Sequence, residues 1–463
     1  METSGVERRR RRCRRVVLVP SPFQGHITPM LQLGCILHSK GFSIHIAHTK
    51  FNSPNPSNFP HFTFLPLLPD NLEGFDTSFH NLLNVMSVLD TNCEAPFQEH
   101  MMKMLAEEEV CGQLVACIIY DSIMKFADAV ANRLKLPSIV LRTTTAAYMH
   151  SHNVMFQLLA ENLIPLPESS QLDAAIPEVY PLRFKDLPVP ATIEIPEIVL
   201  DFLHSYMDIR SSSAVIWNTV DQLDHWPLQQ LQQHWPVPFF SIGPFHKMAP
   251  AVATSLLEEE NSCLSWLDKQ APNSVIYASL GSMAIIDENE LIEMAWGLAK
   301  SDQPFLWAVR PSLLNGTDAM KSLPEEFIKI TQERGMVVKW APQKKVLAHP
   351  AVGGFLTHCG WNSTLESMCE GVPLICRPCF ADQMVNARYL SYVWRVGIEL
   401  ENAGERTIEE AIRTLMVSEE GEVMRQRAFH MKREIEGSID EGGSSYESLD
   451  RLVEFITSLP GTK

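Results

Sequence analysis

Two distant stretches of the chain follow the same order of strand, loop and helix. In the first, the apolar run Val16–Pro20 leads through the loop "SPFQGHI" to apolar residues at helical spacing, and "FSIHIAH" then alternates as a second strand. The pair Thr28–Pro29 has the form of a helix N-cap and first helical residue, and Gly41 is placed to end that helix. After residue 270, "SVIYASL", "DENELIEMAWGLAK" and "FLWAVR" repeat this order. Strands joined by crossover helices pair in parallel, so the pattern predicts an α/β protein with two parallel sheets.

The length of the chain, 463 residues, exceeds what one ordinary core holds and favours two domains. Periodicity fades in "FFSIGPFHKMAPAVATSLLEEE", where Pro, Gly, Ala and Ser accumulate. We therefore predict a first domain at residues 1–245, a linker at 246–258, a second domain at 259–443 and a terminal helix at 444–463. Ligands of such sheets lie beyond the carboxyl ends of the strands, so the expected binding site is the cleft between the domains.

The composition argues against several classes of protein. A net charge of −17 disfavours a nucleic-acid binder, and no uninterrupted apolar run approaches the roughly 18 residues of a membrane span. The ten cysteines are scattered and no secretion signal is evident, so reduced thiols are expected, and the lone Cys376–Cys379 spacing is weak evidence for a metal site. We interpret the arginine-rich stretch Arg8–Arg15 as a frayed, solvated tail, with a nuclear or mitochondrial address as the alternative. A soluble, cytoplasmic, acidic enzyme fits these features.

The segment "HCGWNSTLE", His358–Glu366, predicts a turn between a strand and a helix. "GGFLTH" before it is strand-like, and Gly371 ends the helical stretch that follows. A helix start that offers amides, a positive dipole and a close-approach glycine, here Gly360, suits a phosphate group. The alternative is structural, because Ser363 and Glu366 have the spacing of a capping box. Zinc is disfavoured, since the two potential ligands in "HC" are adjacent and point apart.

The longer segment Trp340–Gln383, "WAPQKKVLAHPAVGGFLTHCGWNSTLESMCEGVPLICRPCFADQ", resembles the donor-binding box of plant family 1 UDP-dependent glycosyltransferases. The resemblance extends to "PFQGHITPMLQL", "SVIYASLGS" and "GGSSYESL", and it is loose only at residues 150–215. It implies two Rossmann-like domains facing each other across a cleft (GT-B architecture), with the second domain holding the nucleotide sugar. It also implies that the last helix returns to the first domain, although packing on the second domain is the simpler alternative.

The resemblance assigns a role to each residue of the donor site. Trp340 would stack on uracil, the backbone of Ala341 and Gln343 would meet the uracil edge and the ribose, and Glu366 would accept hydrogen bonds from the ribose hydroxyls. The residues expected around the diphosphate are Ser282, His358, Gly360, Asn362 and Ser363. Those expected at the sugar are Thr143, Trp361, Asp382 and Gln383. In similar proteins Gln at position 383 and Trp at position 361 accompany UDP-glucose, which is the expected donor, with no metal or cofactor required.

The resemblance places the catalytic base at His26, in "GHITP", and its partner at Asp121, in "IIYDSIMKFA". Alone, such a histidine is more often a surface or structural residue, and such an aspartate is more often a helix cap. Together they predict an inverting transfer of glucose to an acceptor hydroxyl, or to a carboxyl or ring nitrogen, which yields a β-glucoside.

The acceptor pocket is expected in the first domain. Its candidate residues are apolar or aromatic: Phe23, Met86, Leu89, Met124 and Tyr148; for Met86 and Leu89, core packing is the alternative. An apolar wall with His26 at its end would suit an apolar or aromatic small molecule that carries a hydroxyl. The local sequence looks most like enzymes acting on cytokinins, diterpenoids, iridoids, benzoxazinoids and small aromatic acids, a breadth that leaves the particular acceptor open. We expect a monomer.

Other hypotheses are a UDP-sugar epimerase or hydrolase on the same fold, and a catalytically silent nucleotide-sugar-binding protein. A dehydrogenase is disfavoured because no GxGxxG follows a strand.

Overall fold

The computed structural model of this chain describes residues 14–68 and 82–460. These residues form two compact units. The first comprises the described parts of Met1–His150, Ile195–Leu256 and Gly437–Lys463, and the second comprises Ser151–Glu194 and Leu257–Glu436.

The first unit is built on a seven-stranded sheet. Its strands are β1 (Arg14–Val19), β2 (Ser43–His48), β3 (Thr63–Pro66), β4 (Leu114–Asp121), β5 (Ser138–Arg142), β6 (Ala214–Trp217) and β7 (Phe239–Ser241). Every neighbouring pair is parallel, and the order is β3-β2-β1-β4-β5-β6-β7. The helices are α1 (Gln24–Ser39), α2 (Leu82–Cys111), α3 (Lys125–Arg133), α4 (Ala146–Ala160), α5 (Glu197–Met207), α6 (Asp221–His234) and α7 (Phe245–Met248). Helix α4 begins in this unit, and its residues from Ser151 onward belong to the second unit. The strand order reverses between β1 and β4, which is where ligands of such sheets bind.

The second unit is built on a six-stranded sheet. Its strands are β8 (Val275–Ser279), β9 (Phe305–Ala308), β10 (Gly335–Val338), β11 (Val352–Thr357), β12 (Leu374–Cys376) and β13 (Gly397–Glu399). All pairs are parallel in the order β10-β9-β8-β11-β12-β13, so the reversal lies between β8 and β11. The helices are α8 (Ser262–Leu267), α9 (Glu288–Lys300), α10 (Glu325–Thr331), α11 (Gln343–Leu347), α12 (Trp361–Glu370), α13 (Gln383–Arg388), α14 (Glu405–Val417) and α15 (Glu419–Ile439).

The last helix, α16 (Ser444–Ser458), packs on the core of the first unit. Its buried residues include Leu452 and Ile456, which join the apolar side chains of β1 and α1. Nη1 of Arg14 donates to the carbonyls of Leu459, at 2.9 Å, and Ile456, at 3.3 Å. A cation at a helix C-terminus satisfies carbonyls that have no partner within the helix.

The tail interpretation is wrong for the two arginines of this stretch that the structure describes. Arg14 and Arg15 belong to β1, and Arg15 is buried. Its guanidinium donates to the carbonyls of Gln113, at 2.6 Å, and Met104, at 3.1 Å, which holds the first strand against the end of α2. Residues Arg8–Cys13 lie outside the described residues.

The start of α1 also differs from the prediction. The helix begins at Gln24, with Phe23 as N-cap, and Thr28 and Pro29 lie inside it. A proline near the start removes one helical hydrogen bond without ending the helix, so it was a poor marker of the first residue. The predicted stop is confirmed: α1 ends at Ser39, and Gly41 adopts a φ of 98°.

Residues 151–194 fall in the predicted first domain, but in the structure they belong to the second unit. Two polar contacts explain this grouping, since Arg183 forms an ion pair with Glu399, and Nε of Arg388 donates to the carbonyl of Pro181 at 3.0 Å. Within the described residues, no helix combines the length and the apolar character needed to cross a membrane.

Candidate active site

The structure brings His26 and Asp121 together at the strand reversal of the first sheet. Asp121 is the last residue of β4, and His26 lies in the first turn of α1, directly after β1. Oδ2 of Asp121 is 2.8 Å from Nδ1 of His26, and its Oδ1 accepts from the amide of Ile123 at 3.1 Å. The carboxylate is fully buried, whereas the imidazole is 22% exposed. Because Asp121 contacts Nδ1, Nε2 lies on the far side of the ring.

Two further predicted residues lie beside this pair. Oγ1 of Thr143, which follows β5, is 3.2 Å from Nδ1 of His26. The ring of Phe23 meets the imidazole edge-on, with 6.3 Å between ring centroids. The other acceptor candidates, Met86, Leu89, Met124 and Tyr148, all belong to the first unit and are buried.

In the second unit, two turns meet at the strand reversal between β8 and β11. Gly281 follows β8 with a φ of 69°, and a Cβ there would lie 2.5 Å from Cε1 of His358. A Cβ at Gly360 would likewise lie 2.5 Å from Nε2 of His358. The imidazole therefore fits against both glycines because neither has a side chain. Cys359, between His358 and Gly360, adopts a left-handed φ of 63°.

The histidine of this turn is neutral at physiological pH. Burial lowers the pKa of His358 to about 4, and the charges of Arg310 and Arg377 lower it further in the same direction. Its Nδ1 is shielded from solvent and has no hydrogen-bond partner among the described residues. The ring thus adds a hydrogen-bonding group, not a charge, to the turn.

The predicted turn from strand to helix is confirmed, but the capping-box interpretation of Ser363 and Glu366 is wrong. Helix α12 begins at Trp361 with Gly360 as N-cap, which places Ser363 inside the first turn. Nε2 of Gln343 donates to Oγ of Ser363, at 3.0 Å, and to Oε2 of Glu366, at 2.8 Å. Burial raises the pKa of Glu366, which is 9% exposed. A buried carboxylate held by a side chain of another helix is a functional candidate, not a helix cap.

Hydrogen bonds fix the side chains at the end of the segment Trp340–Gln383. Oε1 of Gln383 accepts from the amides of Cys379, at 2.8 Å, and Phe380, at 3.1 Å, so its Nε2 group points away from that loop. Oδ2 of Asp382 accepts from Nδ2 of Asn386 at 2.9 Å, and the same amide group donates to the carbonyl of Cys359 at 2.9 Å. Asn386 therefore links Asp382 to the turn at His358.

The remaining predicted donor residues also belong to the second unit. Trp340 and Ala341 follow β10, and the Trp340 carbonyl accepts from the amide of Glu260 at 2.8 Å. Ser282 follows Gly281, and Asn362 lies in the first turn of α12. Trp361 is only 3% exposed and packs on Trp394 with 6.4 Å between ring centroids. A sugar contact at Trp361 would therefore come from its backbone, not from its ring.

Sequence reasoning missed Asn386 and Arg310. Asn386 follows Asp382 by four residues, which is the helical spacing that brings side chains together and was the available signal. Arg310 ends "FLWAVR" and carried no local signal of its contacts. Within the described part of the chain, no three His, Cys, Asp or Glu side chains are grouped so that they could hold a metal ion.

Comparison with known proteins identifies the family. The family model described as UDP-glucoronosyl and UDP-glucosyl transferase matches residues 58–440. UDP-glycosyltransferase 76E1 of Solanum lycopersicum is 55% identical over 448 residues, which cover 96% of this chain and 93% of the relative. Flavonol 3-O-glucosyltransferase UGT76E12 of Arabidopsis thaliana is 46% identical over 466 residues, which cover 99% of this chain and all of the relative (100%). The crystal structure of UDP-glucose: anthocyanidin 3-O-glucosyltransferase in complex with UDP superposes with a TM-score of 0.82 at 26% identity, covering 96% of this chain and 99% of that one.

The chain therefore belongs to the plant family 1 UDP-glycosyltransferases. It is an enzyme of plant specialised metabolism with two Rossmann-like domains of the GT-B type, and it transfers a glycosyl group from a UDP-sugar. This activity sets aside the epimerase, hydrolase and silent-binding hypotheses.

Proposed function

We propose that this enzyme transfers glucose from UDP-glucose, with inversion, to a hydroxyl of an apolar or aromatic small molecule, forming a β-glucoside. The observation that carries the proposal is the contact between His26 and the buried Asp121 at the strand reversal of the first sheet, 2.8 Å from Nδ1 to Oδ2. The names of two similar proteins support the donor and the acceptor class, since one is a flavonol glucosyltransferase and the other a UDP-glucose: anthocyanidin glucosyltransferase.

The second unit binds the donor in this proposal. Trp340 stacks on uracil, the backbone of Ala341 and Gln343 meets the base and the ribose, and Glu366 accepts from the ribose hydroxyls. The contact between Gln343 and Glu366 orients the carboxylate before the donor arrives. The diphosphate lies at the start of α12, where the helix dipole and the groups of Ser282, His358, Asn362 and Ser363 favour an anion.

The sugar is recognised by the end of the donor box. The two backbone amides that hold Oε1 of Gln383 leave its Nε2 group to donate to a sugar hydroxyl. Asp382, oriented by Asn386, accepts from another hydroxyl. In the first unit, Thr143 contacts the transferred sugar beside His26. This set of donors and acceptors suits the hydroxyl groups of a neutral hexose.

The reaction begins when Nε2 of His26 removes the proton from the acceptor hydroxyl. The acceptor oxygen bonds to the anomeric carbon from the face opposite the leaving group, the bond from that carbon to the diphosphate oxygen breaks, and UDP leaves with the electron pair. Asp121 stabilises the resulting imidazolium through Nδ1. The groups at the start of α12 stabilise the charge that develops on UDP. Phe23, Met86, Leu89, Met124 and Tyr148 are proposed to form the apolar acceptor pocket, and the transfer is proposed to need no metal or cofactor.

The test is mass spectrometry of a panel of plant aglycones incubated with the enzyme and, separately, UDP-glucose, UDP-galactose or UDP-glucuronic acid. We expect a hexose-shifted product with UDP-glucose, an anomeric proton coupling typical of a β-linkage, and undiminished yield in EDTA. His26→Ala should lose nearly all product while it still binds UDP. His38→Ala is the matched control, because His38 lies on the same helix and contacts the carbonyl of Phe42 at 3.3 Å. Transfer by His26→Ala at the wild-type rate contradicts the assignment of the base.

A further inference from the structure

Arg310 is a buried cation beside the turn at Gly281 in the second unit. It follows β9, the strand next to β8, and is 4% exposed. Its Nε donates to the carbonyl of Gly281 at 2.9 Å, and its Nη1 donates to Oγ of Ser312 at 3.2 Å. Its Nη2 is shielded from solvent and has no partner within the described part of the chain.

Within the described part of the chain, the charge of Arg310 has no carboxylate as its counter-charge. Among residues 14–68 and 82–460, no Asp or Glu forms an ion pair with Arg310, whereas the neighbouring Arg377 is paired with Glu290. Burial lowers the pKa of Arg310 to about 10, which still leaves the guanidinium charged at neutral pH. Burying a charge without a counter-charge is costly, so an anion that arrives with the substrate is the expected compensation.

The contact with Gly281 also orients a peptide group. In a trans peptide, the carbonyl and the following amide point in opposite directions. Because Arg310 holds the Gly281 carbonyl, the amide of Ser282 is directed away from Arg310. The same Gly281 packs against the His358 ring, where a Cβ would come within 2.5 Å of Cε1. Gly281 thus contacts both Arg310, which binds its carbonyl, and the ring of His358.

We propose that Arg310 is a positioning residue for the donor diphosphate: it fixes the Gly281–Ser282 peptide and supplies the unpaired positive charge behind it. The inference rests on the proposed placement of the diphosphate at this turn. It assigns the permanent positive charge of the site to Arg310, since His358 is neutral and Arg377 is paired. The same charge stabilises UDP as a leaving group, so its effect is larger in the transition state than in the bound donor.

The test compares binding of UDP and of uridine, which lacks phosphates, by isothermal titration calorimetry. We expect Arg310→Met to weaken UDP binding by roughly 10-fold to 100-fold and to leave uridine binding unchanged. Arg310→Lys keeps the charge but not the planar donor group, so UDP binding should fall less than in Arg310→Met. The turnover number with saturating UDP-glucose should fall further than UDP affinity in Arg310→Met.

The matched control is Arg334→Met. Arg334 lies in the same unit and also donates to backbone carbonyls, including that of Gln303 at 3.3 Å, but it lies at the opposite end of β9. Equal losses of UDP and uridine binding in the Arg310 variants, with a lower melting temperature, would show that Arg310 only maintains the fold and would overturn the proposal. Unchanged UDP binding would overturn it as well. If the wild-type enzyme binds uridine as tightly as UDP, the placement of the diphosphate itself is wrong.

Discussion

Replacing Asp121 by Asn tests the proposed base most sharply, because the structure determines how the amide must sit. The amide of Ile123 donates to Oδ1 of Asp121 at 3.1 Å, so the oxygen of an Asn side chain is held there. The NH₂ group then replaces Oδ2, which lies 2.8 Å from Nδ1 of His26. An NH₂ group donates to an unprotonated Nδ1, so the proton moves to Nε2 and the ring can no longer accept the acceptor's proton there.

The size of the effect follows from the geometry. A hydrogen bond to a charged group contributes up to about 3 kcal/mol. At an effective dielectric constant of about 20, two unit charges 2.8 Å apart interact by about 6 kcal/mol, which is an upper limit because solvation opposes it. Each 1.36 kcal/mol is about tenfold in rate, so kcat of Asp121→Asn should fall by about 10²-fold to about 10⁴-fold.

The assay is steady-state transfer to an acceptor identified by the panel, together with UDP binding by calorimetry. We expect kcat to fall while the dissociation constant of UDP stays within about twofold, because Asp121 belongs to the first unit and the proposed donor residues around the diphosphate to the second. Asp128→Asn is the matched control, since Asp128 is a buried carboxylate of the same unit that accepts from Ser138 at 2.8 Å. A decrease in kcat of less than about tenfold would show that the contact with Asp121 does not activate His26 as the base.

Three further predictions concern the donor site and the folded state. Glu366→Ala should weaken UDP binding by roughly 10-fold to 100-fold and abolish any preference for UDP over 2′-deoxy-UDP, because the carboxylate is proposed to accept from the ribose hydroxyls. Gly281→Ala should reduce the melting temperature and UDP binding, since a φ of 69° strains any Cβ by about 1–2 kcal/mol and this Cβ also meets His358. Burial raises the pKa of Asp224 to about 6, so the free energy of unfolding of the wild-type protein should decrease as the pH rises from about 4 to about 6. Asp224→Asn should remove this decrease.

The controls for these predictions are specific. For Gly281, the control is Gly316→Ala, where φ is 76° but a Cβ meets nothing within 4 Å, so it reports strain without contact. Equal UDP binding in the two variants would contradict the packing argument. For Asp224, the folded state holds a proton that the unfolded state has released, so stability decreases as pH rises through this window. Urea unfolding of both proteins across that range measures it, and parallel curves would contradict the assignment. An unchanged preference for UDP in Glu366→Ala would show that this carboxylate does not contact the ribose.

The sequence by itself determined the features that depend on neighbours along the chain. The alternation of strands and helices predicted two parallel sheets, and "HCGWN" predicted the turn before α12, which ends at the left-handed Gly371. The donor-box residues identified the family because they lie within one continuous segment. Hydrophobic periodicity and helix-ending signals are local properties, so they can be recognised without knowing which strands are neighbours.

Only the tertiary structure decided contacts between residues far apart in the chain. Ser363 and Glu366 have the spacing of a helix cap, yet Gln343 binds both because α11 lies against α12. Arg310 meets Gly281 because β9 lies next to β8, and His26 meets Asp121 because β1 lies next to β4. Strand order sets these distances, and it depends on the total burial of apolar surface over the whole sheet, which no single segment of the sequence carries.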